Sequence, residues 1–499
     1  PTVEVENLWA AAAVWVKEGP GVGKLLAEWM TYGYPELTDP HGTDVSRFYP
    51  QQRNVNHIEA RADEHFNKTY GIVHPREQWK SRRNITVGPV KSRTDDLGAF
   101  YFEAGGWERP HWYQSNSDLL ANYDVPQRTH EWDERWWSPL SDAEHLHMRE
   151  HAGLVDLSAF QIFEASGIGA LEFVEKMVVN KCDVPVGKSI YTPVLNESGG
   201  FRSDLTIVRL QENLFRIITG AFDGGRDEYW FRSHLPADAS VNLENKTNAI
   251  CTFGVWGPKA VALLSRVTES KLDQDNFPYG TSQSLLVEGL PVDMLRISYV
   301  GDAGFEIYTG TQHGLALWDA LWEAGKDYDL RPIGAAVYGT SGRLEKGYRL
   351  MGSELENEYN PVEAGLDRNK VKAADFIGKT AYEKARAIKP VAQLCALTMD
   401  SNKCSAGYAR FPTGSGNEPI LTLDGDRILD DKGRISRVTT AGSAPSIGKY
   451  VLLAYLPIDK CIPGTALQVL YQNELYPITV AATGRNLSLY DSEDARMRC

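Results

Sequence analysis

One pattern occurs twice along this chain. Residues 163–177 are FEASGIGALEFVEKM, and residues 253–267 are FGVWGPKAVALLSRV. Each stretch passes from a β-prone run through a glycine to apolar residues at helical spacing, which predicts a strand, a turn and a helix. Each is followed by a polar loop, a short strand and a hairpin. The repetition therefore predicts two related α+β units.

Each predicted hairpin carries one carboxylate near the start of a strand. In the first, Gly199 and Gly200 supply a turn, and Asp204 opens a run of β-branched and apolar residues. In the second, Glu306 follows a turn at 301–304. A carboxylate in this position can face a cleft. An aspartate after a turn can instead form a hydrogen bond with its own backbone. The pattern alone does not decide whether Asp204 is a cleft residue or a structural turn residue.

Composition excludes several classes of protein. A chain of 499 residues is too long for a single core, which predicts several domains. A formal net charge of -14 argues against a general nucleic-acid binder. No run of eighteen uninterrupted apolar residues predicts a membrane span. The six cysteines are scattered without CxxC pairs, so neither a disulfide framework nor a zinc ribbon is expected, and a reducing compartment fits best.

The N-terminal part contains a glycine-rich stretch, GPGVGK at 19–24. The apolar run at 7–16 before it and LLAEWMTYG after it predict a strand, a glycine turn and a helix that ends at Gly33. Such a turn can hold a phosphate, which makes Gly19, Gly21 and Gly23 candidate contacts. The stretch is neither a Walker loop nor GxGxxG, so a purely structural turn is at least as well supported.

A histidine-rich stretch, SDAEHLHMREH at 141–151, is predicted to be helical. His147 and His151 share a helix face at a spacing suited to zinc. No third ligand with suitable spacing follows and HExxH is not formed, so the sequence predicts a solvated helix face and no metal.

The sequence pattern changes beyond Pro390. Short β-prone runs separated by turn signals predict an antiparallel barrel or sandwich of about 110 residues.

Several long motifs resemble one protein family. They are LGAFYFEAGGWERPHWY at 97–113, GGFRSDLTIVRL at 199–210, WGPKA at 256–260, SYVGDAGFEIYTG at 298–310 and RLEKGYRLMGSELENEYNPVEAGL at 343–366. The chain is similar to the dimethylglycine and sarcosine dehydrogenases and oxidases. In that family a flavin amine-oxidase domain precedes a folate domain similar to glycine-cleavage aminomethyltransferase, the T-protein.

The resemblance implies an α+β, T-protein-like fold. It consists of two related α+β units and a C-terminal antiparallel β-barrel, preceded by the tail of a flavin domain. The implied boundaries are 1–50 for that tail, 51–125 for a linker or central domain, 126–385 for the folate-binding domain and 386–499 for the barrel. The family's dinucleotide fingerprint is missing from the front, so the chain, which begins at Pro1, is expected to be a fragment or a processed chain.

The resemblance also assigns roles to residues. Asp204 matches the catalytic aspartate, although Ser203 replaces the first acid of the T-protein's paired acids. Glu306 matches the glutamate that binds the pteridine ring. Positions that line the folate are matched by Tyr191, Thr206 and Tyr299. Arg343 is either a further folate contact or half of a buried structural ion pair with Glu345.

The function implied is one-carbon transfer by the folate-dependent portion of a flavin-linked N-methyl amine dehydrogenase. Tetrahydrofolate would capture the iminium carbon as 5,10-methylenetetrahydrofolate. FAD would be held mainly by a flavin-binding half outside this chain, in the same polypeptide or in a partner subunit. No nucleic-acid or membrane partner is expected, and the expected location is the cytoplasm or, in a eukaryote, the mitochondrial matrix. Two alternatives stay open: a regulatory relative without activity, and a flavin-independent folate-dependent O- or S-demethylase.

Overall fold

The computed structural model describes residues 2, 5, 7–12, 15–35, 40, 42–415 and 418–499. They form two compact units, each built from three separate stretches of chain. Unit 1 comprises residues 1–53, 161–246 and 350–390, and unit 2 comprises residues 54–160, 247–349 and 391–499.

The α-helices of the described residues are α1 (Gly19–Tyr32), α2 (Val55–Thr69), α3 (Lys91–Asp96), α4 (Glu131–Glu134), α5 (Leu140–Glu150), α6 (Ala170–Met177), α7 (Gly224–Ser233), α8 (Ala260–Leu264), α9 (Gly314–Gly325), α10 (Arg343–Lys346), α11 (Lys379–Ala387) and α12 (Ala495–Arg498).

The strands are β1 (Thr86–Val87), β2 (Ala99–Ala104), β3 (Trp107–Tyr113), β4 (Ala152–Asp156), β5 (Gln161–Ser166), β6 (Ser189–Leu195), β7 (Phe201–Gln211), β8 (Leu214–Thr219), β9 (Asn242–Asn245), β10 (Ile250–Trp256), β11 (Ser282–Val287), β12 (Leu290–Leu295), β13 (Gly304–Gly310), β14 (Leu330–Pro332), β15 (Ala392–Met399), β16 (Ile420–Leu421), β17 (Val438–Ala444), β18 (Lys449–Pro457), β19 (Ala466–Tyr471) and β20 (Glu474–Thr483).

Unit 1 is organised around a five-stranded antiparallel sheet in the order β6-β7-β8-β5-β9. Strand β7 shows how the sequence forms it. Alternate residues from Phe201 to Ile207 are buried, while Arg202, Asp204 and Thr206 between them are half-buried. This period of two presents one face of the strand to the apolar core and leaves the polar residues on the other face.

Unit 2 contains three sheets. One is a six-stranded sheet in the order β11-β12-β13-β10-β4-β14, in which β14 pairs parallel with β4 and the other pairs are antiparallel. The C-terminal residues form a six-stranded antiparallel sheet in the order β16-β19-β20-β15-β18-β17. The third sheet is small, with the order β1-β3-β2. The antiparallel C-terminal part predicted from the sequence is confirmed.

The predicted repetition is also present. Strand β5 leads through Gly167 into α6, and β10 leads through Gly257 into α8. Both glycines have positive φ, 118° and 126°. A Cβ at Gly257 would lie 2.4 Å from the His151 carbonyl oxygen. Glycine is therefore required at this turn by conformation and by space.

The glycine-rich stretch differs from the prediction. Helix α1 already begins at Gly19, so Gly19, Gly21 and Gly23 lie within the helix and not in a turn before it. Pro20 explains the early start, because proline has a φ suited to the first helical turn and no N–H to leave unpaired there. The predicted end at Gly33 is confirmed by its left-handed φ of 83°. Of the predicted strand before this helix, residues 13 and 14 lie outside the described residues, and the rest is not extended into a strand.

Helix α5 contradicts the prediction of a solvated face. Most of its residues are buried, including His145 and His147. Several of its polar side chains, including His145, His147 and Arg149, have hydrogen-bond partners inside unit 2. Among the described residues, no helix combines the length and the apolar character needed to cross a membrane.

Candidate active site

The hairpin of β6 and β7 places three of the predicted site residues on one face of unit 1. Tyr191 lies opposite Thr206, and Pro193 lies opposite Asp204. Residues two apart on a strand share a face, as do residues directly opposite each other on paired strands. Tyr191, Asp204 and Thr206 therefore form a continuous patch.

Within that patch, a hydrogen bond fixes the carboxylate of Asp204. The Tyr191 hydroxyl donates to Asp204 Oδ2 at 2.8 Å. The Tyr191 side chain is 38% exposed and Asp204 is half-buried, so the pair is accessible from solvent. Asp204 is the fourth residue of β7 and lies within the strand ladder, which contradicts the turn interpretation.

Ser203 points to the opposite, buried face of the same strand. Its hydroxyl donates to Asp227 Oδ2 at 2.8 Å, and the Thr219 hydroxyl donates to the same oxygen at 2.6 Å. Ser203 and Asp227 are each 1% exposed. Burial, and secondarily the charge of Asp223, raise the pKa of Asp227. Ser203 therefore helps to hold a buried carboxylate and does not join the patch around Asp204.

Glu306 lies in unit 2 as the third residue of β13, and its side chain is buried. The Tyr338 hydroxyl donates to Glu306 Oε1 at 3.3 Å, and the Tyr308 hydroxyl donates to Oε2. Burial raises the pKa of Glu306 to about 7. The side chain therefore exchanges a proton near neutral pH while two tyrosines hold both of its oxygens.

Tyr338, which bonds this glutamate, belongs to a cluster of aromatic rings. Tyr299 and Tyr338 have ring centroids 5.1 Å apart, and Tyr299 stacks on Tyr348 at 5.6 Å with an interplanar angle of 15°. Trp256 lies 5.5 Å from Tyr338. Flat rings beside a carboxyl group can stack on a heterocycle while the carboxyl group bonds its edge. The structure thus places two of the predicted residues, Tyr299 and Glu306, in one aromatic cluster.

The tyrosines that complete this cluster, Tyr338 and Tyr348, were not among the predicted site residues. Tyr348 lies inside the RLEKGYRL motif, so its signal was available. Tyr338 lies in a π-helical turn, Val337–Gly342, which no sequence pattern indicated. Such turns are rare in proteins overall, but those that occur are often found at functional sites.

Arg343 has a different environment from the other predicted folate contacts. It is 2% exposed. Its guanidinium donates to the carbonyl oxygens of Gly339 and Tyr348 at 2.8 and 3.0 Å and to Thr440 Oγ1 at 3.0 Å. A ligand would have to replace these bonds, and a folate contact at Arg343 stays a prediction.

The expected partner of Arg343, Glu345, bonds elsewhere. Glu345 Oε2 accepts from Arg149 Nη2 at 2.7 Å and lies 3.1 Å from His145 Nε2. These charged and polar neighbours hold the pKa of Glu345 near 2 despite its burial. Glu345 is therefore a structural anion that fixes helix α5 within unit 2.

Comparisons with known proteins show which family the chain belongs to. Residues 90–372 match the GCVT N-terminal domain, which is more than half of the chain. The chain belongs to the GCVT family. Residues 33–87 match the FAD dependent oxidoreductase central domain.

Members of the GCVT family and of the flavin enzymes are both among the relatives. The chain is 29% identical to 4-methylaminobutanoate oxidase (formaldehyde-forming) of Paenarthrobacter nicotinovorans, over 100% of this chain and 57% of that protein. It is 28% identical to mitochondrial dimethylglycine dehydrogenase of Homo sapiens, over 96% of this chain and 53% of that protein. It is 32% identical to aminomethyltransferase of Chlorobaculum tepidum, over 67% of this chain and 87% of that protein. The chain thus spans about half the length of the two flavin-enzyme relatives.

The fold of the GCVT protein from Bartonella henselae, glycine cleavage system aminomethyltransferase T, matches with a TM-score of 0.66 and 22% identity. The match covers 82% of this chain and 99% of that protein. The predicted T-protein-like α+β fold and the resemblance to dimethylglycine and sarcosine dehydrogenases are confirmed. The domain boundaries and the roles of individual residues stay predictions.

A cluster at the C-terminal end of helix α5 has the composition of a metal site. Ligand atoms of His147, His151 and Asp329 lie within 4.8 Å of one another. However, the Lys259 ammonium lies 2.7 Å from His151 Nδ1, and His147 Nε2 donates to the Asp329 carbonyl oxygen at 2.7 Å. A cation would compete with the lysine charge, so the arrangement suits a structural network better than a metal.

The structure also bears on the flavin contacts predicted at Gly19, Gly21 and Gly23. Apart from each glycine's own chain neighbours and the backbone of the helix, no atom of the described residues lies within 4 Å of a Cβ built at any of the three. Helix α1 has no buried residue. A backbone cradle for phosphate is not formed by these glycines, and a flavin contact through the start of the helix stays a prediction.

The raised pKa of Glu306 predicts how stability depends on pH. Its ordinary value is 4.5, and burial raises it to about 7. Between these values the folded chain retains a proton that the unfolded chain has lost, so stability falls as pH rises through this window. The contribution is at most about 3 kcal/mol. Glu306→Gln should make the free energy of unfolding decrease less between about pH 5 and about pH 7.5. Urea unfolding at the two pH values measures the difference.

Glu306→Gln should remove only part of the fall in stability with pH, because a second buried carboxyl group, that of Glu144, also contributes to it. Burial raises its pKa to about 8, so it contributes a decrease of the same sign that persists in the variant. Identical pH profiles for the parent and Glu306→Gln would show that Glu306 titrates normally in the folded chain.

Proposed function

We propose that this chain is the tetrahydrofolate-dependent one-carbon transfer portion of a flavin-linked N-methyl amine dehydrogenase. The observation that carries the proposal is the patch of Tyr191, Asp204 and Thr206 in a chain of the GCVT family. The named relatives that oxidise N-methyl amines support the substrate class. FAD would be bound mainly by a flavin-binding half in the same polypeptide or in a partner subunit.

The chemistry needs a group like Asp204. Bound flavin would supply the oxidation of the amine to an iminium ion, whose carbon a nitrogen of tetrahydrofolate would attack. The product would be 5,10-methylenetetrahydrofolate, and the amine would depart. Each step moves a proton at nitrogen beside a cationic carbon, and one carboxylate can accept the proton and stabilise the cation. The Tyr191 hydroxyl donates to Asp204 Oδ2 and so fixes the orientation of the carboxyl group that would face the folate amine.

Glu306 is proposed to bind the pteridine ring. A pteridine edge offers adjacent N–H donors, which a carboxylate accepts as a pair of charge-assisted bonds. Tyr338 bonds the glutamate, and its ring lies 5.1 Å from that of Tyr299, so the pair offers flat aromatic surface. Tyr308 and Tyr338 already donate to the two carboxyl oxygens, so they fix the carboxyl plane before a ligand arrives.

The proposed function is tested by the fate of the oxidised carbon. In the flavin-containing holoenzyme, an N-methyl amine substrate would be oxidised with and without tetrahydrofolate. We expect methylenetetrahydrofolate to form at the expense of free formaldehyde. Equal formaldehyde yields in both reactions would exclude a one-carbon transferase, and the absence of any amine oxidation would favour a regulatory relative. Turnover of O- or S-methyl substrates without flavin would favour the demethylase alternative.

Glu306→Ala is expected to weaken the binding of tetrahydrofolate by about 1.5 to 3 kcal/mol, because hydrogen bonds to a charged group are lost. Isothermal titration calorimetry of this chain measures the change directly. Glu323→Ala is a matched control, since the Glu323 side chain is 72% exposed. An unchanged affinity in the Glu306 variant would remove the glutamate from the folate site.

A further inference from the structure

Two of the six cysteines lie side by side in the C-terminal part of unit 2, and nothing above uses them. Cys395 is the fourth residue of β15, and Cys461 follows the turn after β18. Both belong to the apolar core of the C-terminal sheet. In the structure both are free thiols.

Strand pairing brings the two sulfur atoms to one backbone oxygen. Gln393 in β15 lies opposite Leu456 in β18. The Gln393 carbonyl oxygen is 3.5 Å from Cys395 Sγ and 3.7 Å from Cys461 Sγ. Cys461 Sγ also lies 3.1 Å from the Leu456 carbonyl oxygen, so the chain after β18 folds back over the end of this strand pair. The two thiols are therefore close neighbours, and they form a hydrogen bond with each other.

The two thiols differ in reactivity. The hydrogen bond between them lowers the pKa of Cys461 and raises that of Cys395, and burial raises the pKa of Cys395 further. The thiolate is the nucleophilic form of cysteine, so Cys461 is the thiol that reacts first. Cys461 is also the more accessible of the two, with 8% exposure beside the exposed Ile462, whereas Cys395 is fully buried. An accessible thiol of lowered pKa beside a second thiol is typical of redox-sensitive cysteine pairs.

We propose that Cys395 and Cys461 form a reversible disulfide when the chain meets hydrogen peroxide. The Cys461 thiolate attacks one peroxide oxygen, the O–O bond breaks and hydroxide leaves, so Cys461 becomes a sulfenic acid. The Cys395 sulfur then attacks the Cys461 sulfur, the S–O bond breaks and water leaves. In balance, two thiols and one hydrogen peroxide give one disulfide and two waters. The two sulfurs together lose two electrons, which the peroxide gains.

The placement of the pair suits a bond that forms and breaks. In a reducing compartment, which the scattered cysteines predict, thiols stay free at rest and a disulfide forms transiently. The new bond would link β15 to the segment that follows β18, and these two strands are already joined by an antiparallel ladder. The disulfide therefore joins elements that are neighbours within one sheet.

The test counts thiols in the full chain before and after one equivalent of hydrogen peroxide. Titration with 5,5′-dithiobis(2-nitrobenzoate) in denaturant should detect all six thiols in the reduced chain. Peroxide should remove two of them, and dithiothreitol should restore both. Mass spectrometry of a non-reduced digest should find Cys395 and Cys461 in one cross-linked pair of peptides.

Two variants separate the roles of the thiols. Cys395→Ala leaves no second thiol beside Cys461, so the sulfenic acid should accumulate there and be labelled by dimedone. Cys461→Ser should slow the oxidation of Cys395 at least about tenfold, because a buried thiol of raised pKa is a poor nucleophile. Circular dichroism confirms the fold of each variant, and the cross-link in the parent chain tests the proposal without either of them.

Cys404→Ser and Cys499→Ser are matched controls. Cys404 is a further buried cysteine of the same core, and Cys499 is exposed. Both variants should form the cross-link as the parent does, which excludes pairing through Cys404 and pairing between two chains through Cys499.

The proposal is overturned if the parent chain keeps all of its thiols, or if the thiols it loses are not those of Cys395 and Cys461. It is also overturned if dithiothreitol does not restore them, because the product would then be a higher oxide of sulfur. These measurements contain neither amine nor tetrahydrofolate, so their outcome is independent of the proposed one-carbon transfer.

Discussion

Replacing Asp204 by asparagine is expected to lower carbon delivery to tetrahydrofolate roughly 100-fold or more, in line with the contribution of a general base. Asparagine keeps the size of the side chain and an oxygen that can accept from the Tyr191 hydroxyl, so the fold and much of the folate affinity should persist. The measurement follows methylenetetrahydrofolate and free formaldehyde in the holoenzyme while the rate of amine oxidation is held constant. Formaldehyde should rise as methylenetetrahydrofolate falls.

Asp183→Asn provides a matched control in the same unit. The Asp183 side chain is 55% exposed, and its removal should leave carbon delivery unchanged. Parental carbon delivery by the Asp204 variant would mean that Asp204 is a structural strand residue and that the site draws its base from elsewhere.

Ser203→Asp, which restores the paired acids of the T-protein, is expected to destabilise the fold by about 3 kcal/mol near neutral pH. The Ser203 hydroxyl donates to Asp227 at 2.8 Å, and both residues are buried. The new carboxylate would replace a donor with a second negative charge. Because protonation of either acid relieves the repulsion, the loss should be larger at about pH 8 than at about pH 5. Urea unfolding at both pH values measures it.

Ser203→Asn separates charge from size. Its amide has nearly the volume of aspartate but can donate to Asp227, so it should destabilise the fold less and without the pH dependence. Equal losses in the two variants at both pH values would show that space, and not the charge of Asp227, disfavours an acid at position 203.

Much of the fold was predictable because its signals are local. The alternation in β7, the glycine turn before it and the repeated strand, turn and helix all depend on residues close in sequence. The same locality explains two errors. GPGVGK was predicted as a turn, although Pro20 is well suited to the first turn of a helix. The polar residues of α5 predicted exposure, because their buried partners are distant in the chain.

The sequence alone determined that the chain is built from two related α+β units with an antiparallel C-terminal part, and that Asp204 and Glu306 lie near the starts of hairpin strands. Only the tertiary structure decided the environment of each carboxylate. Tyr191 reaches Asp204 across one pair of strands, whereas Tyr338 reaches Glu306 from 32 residues further along the chain. Ser203 turns away to hold Asp227. Burial and hydrogen bonding set the charge of a carboxyl group, and both depend on which distant segments pack around it.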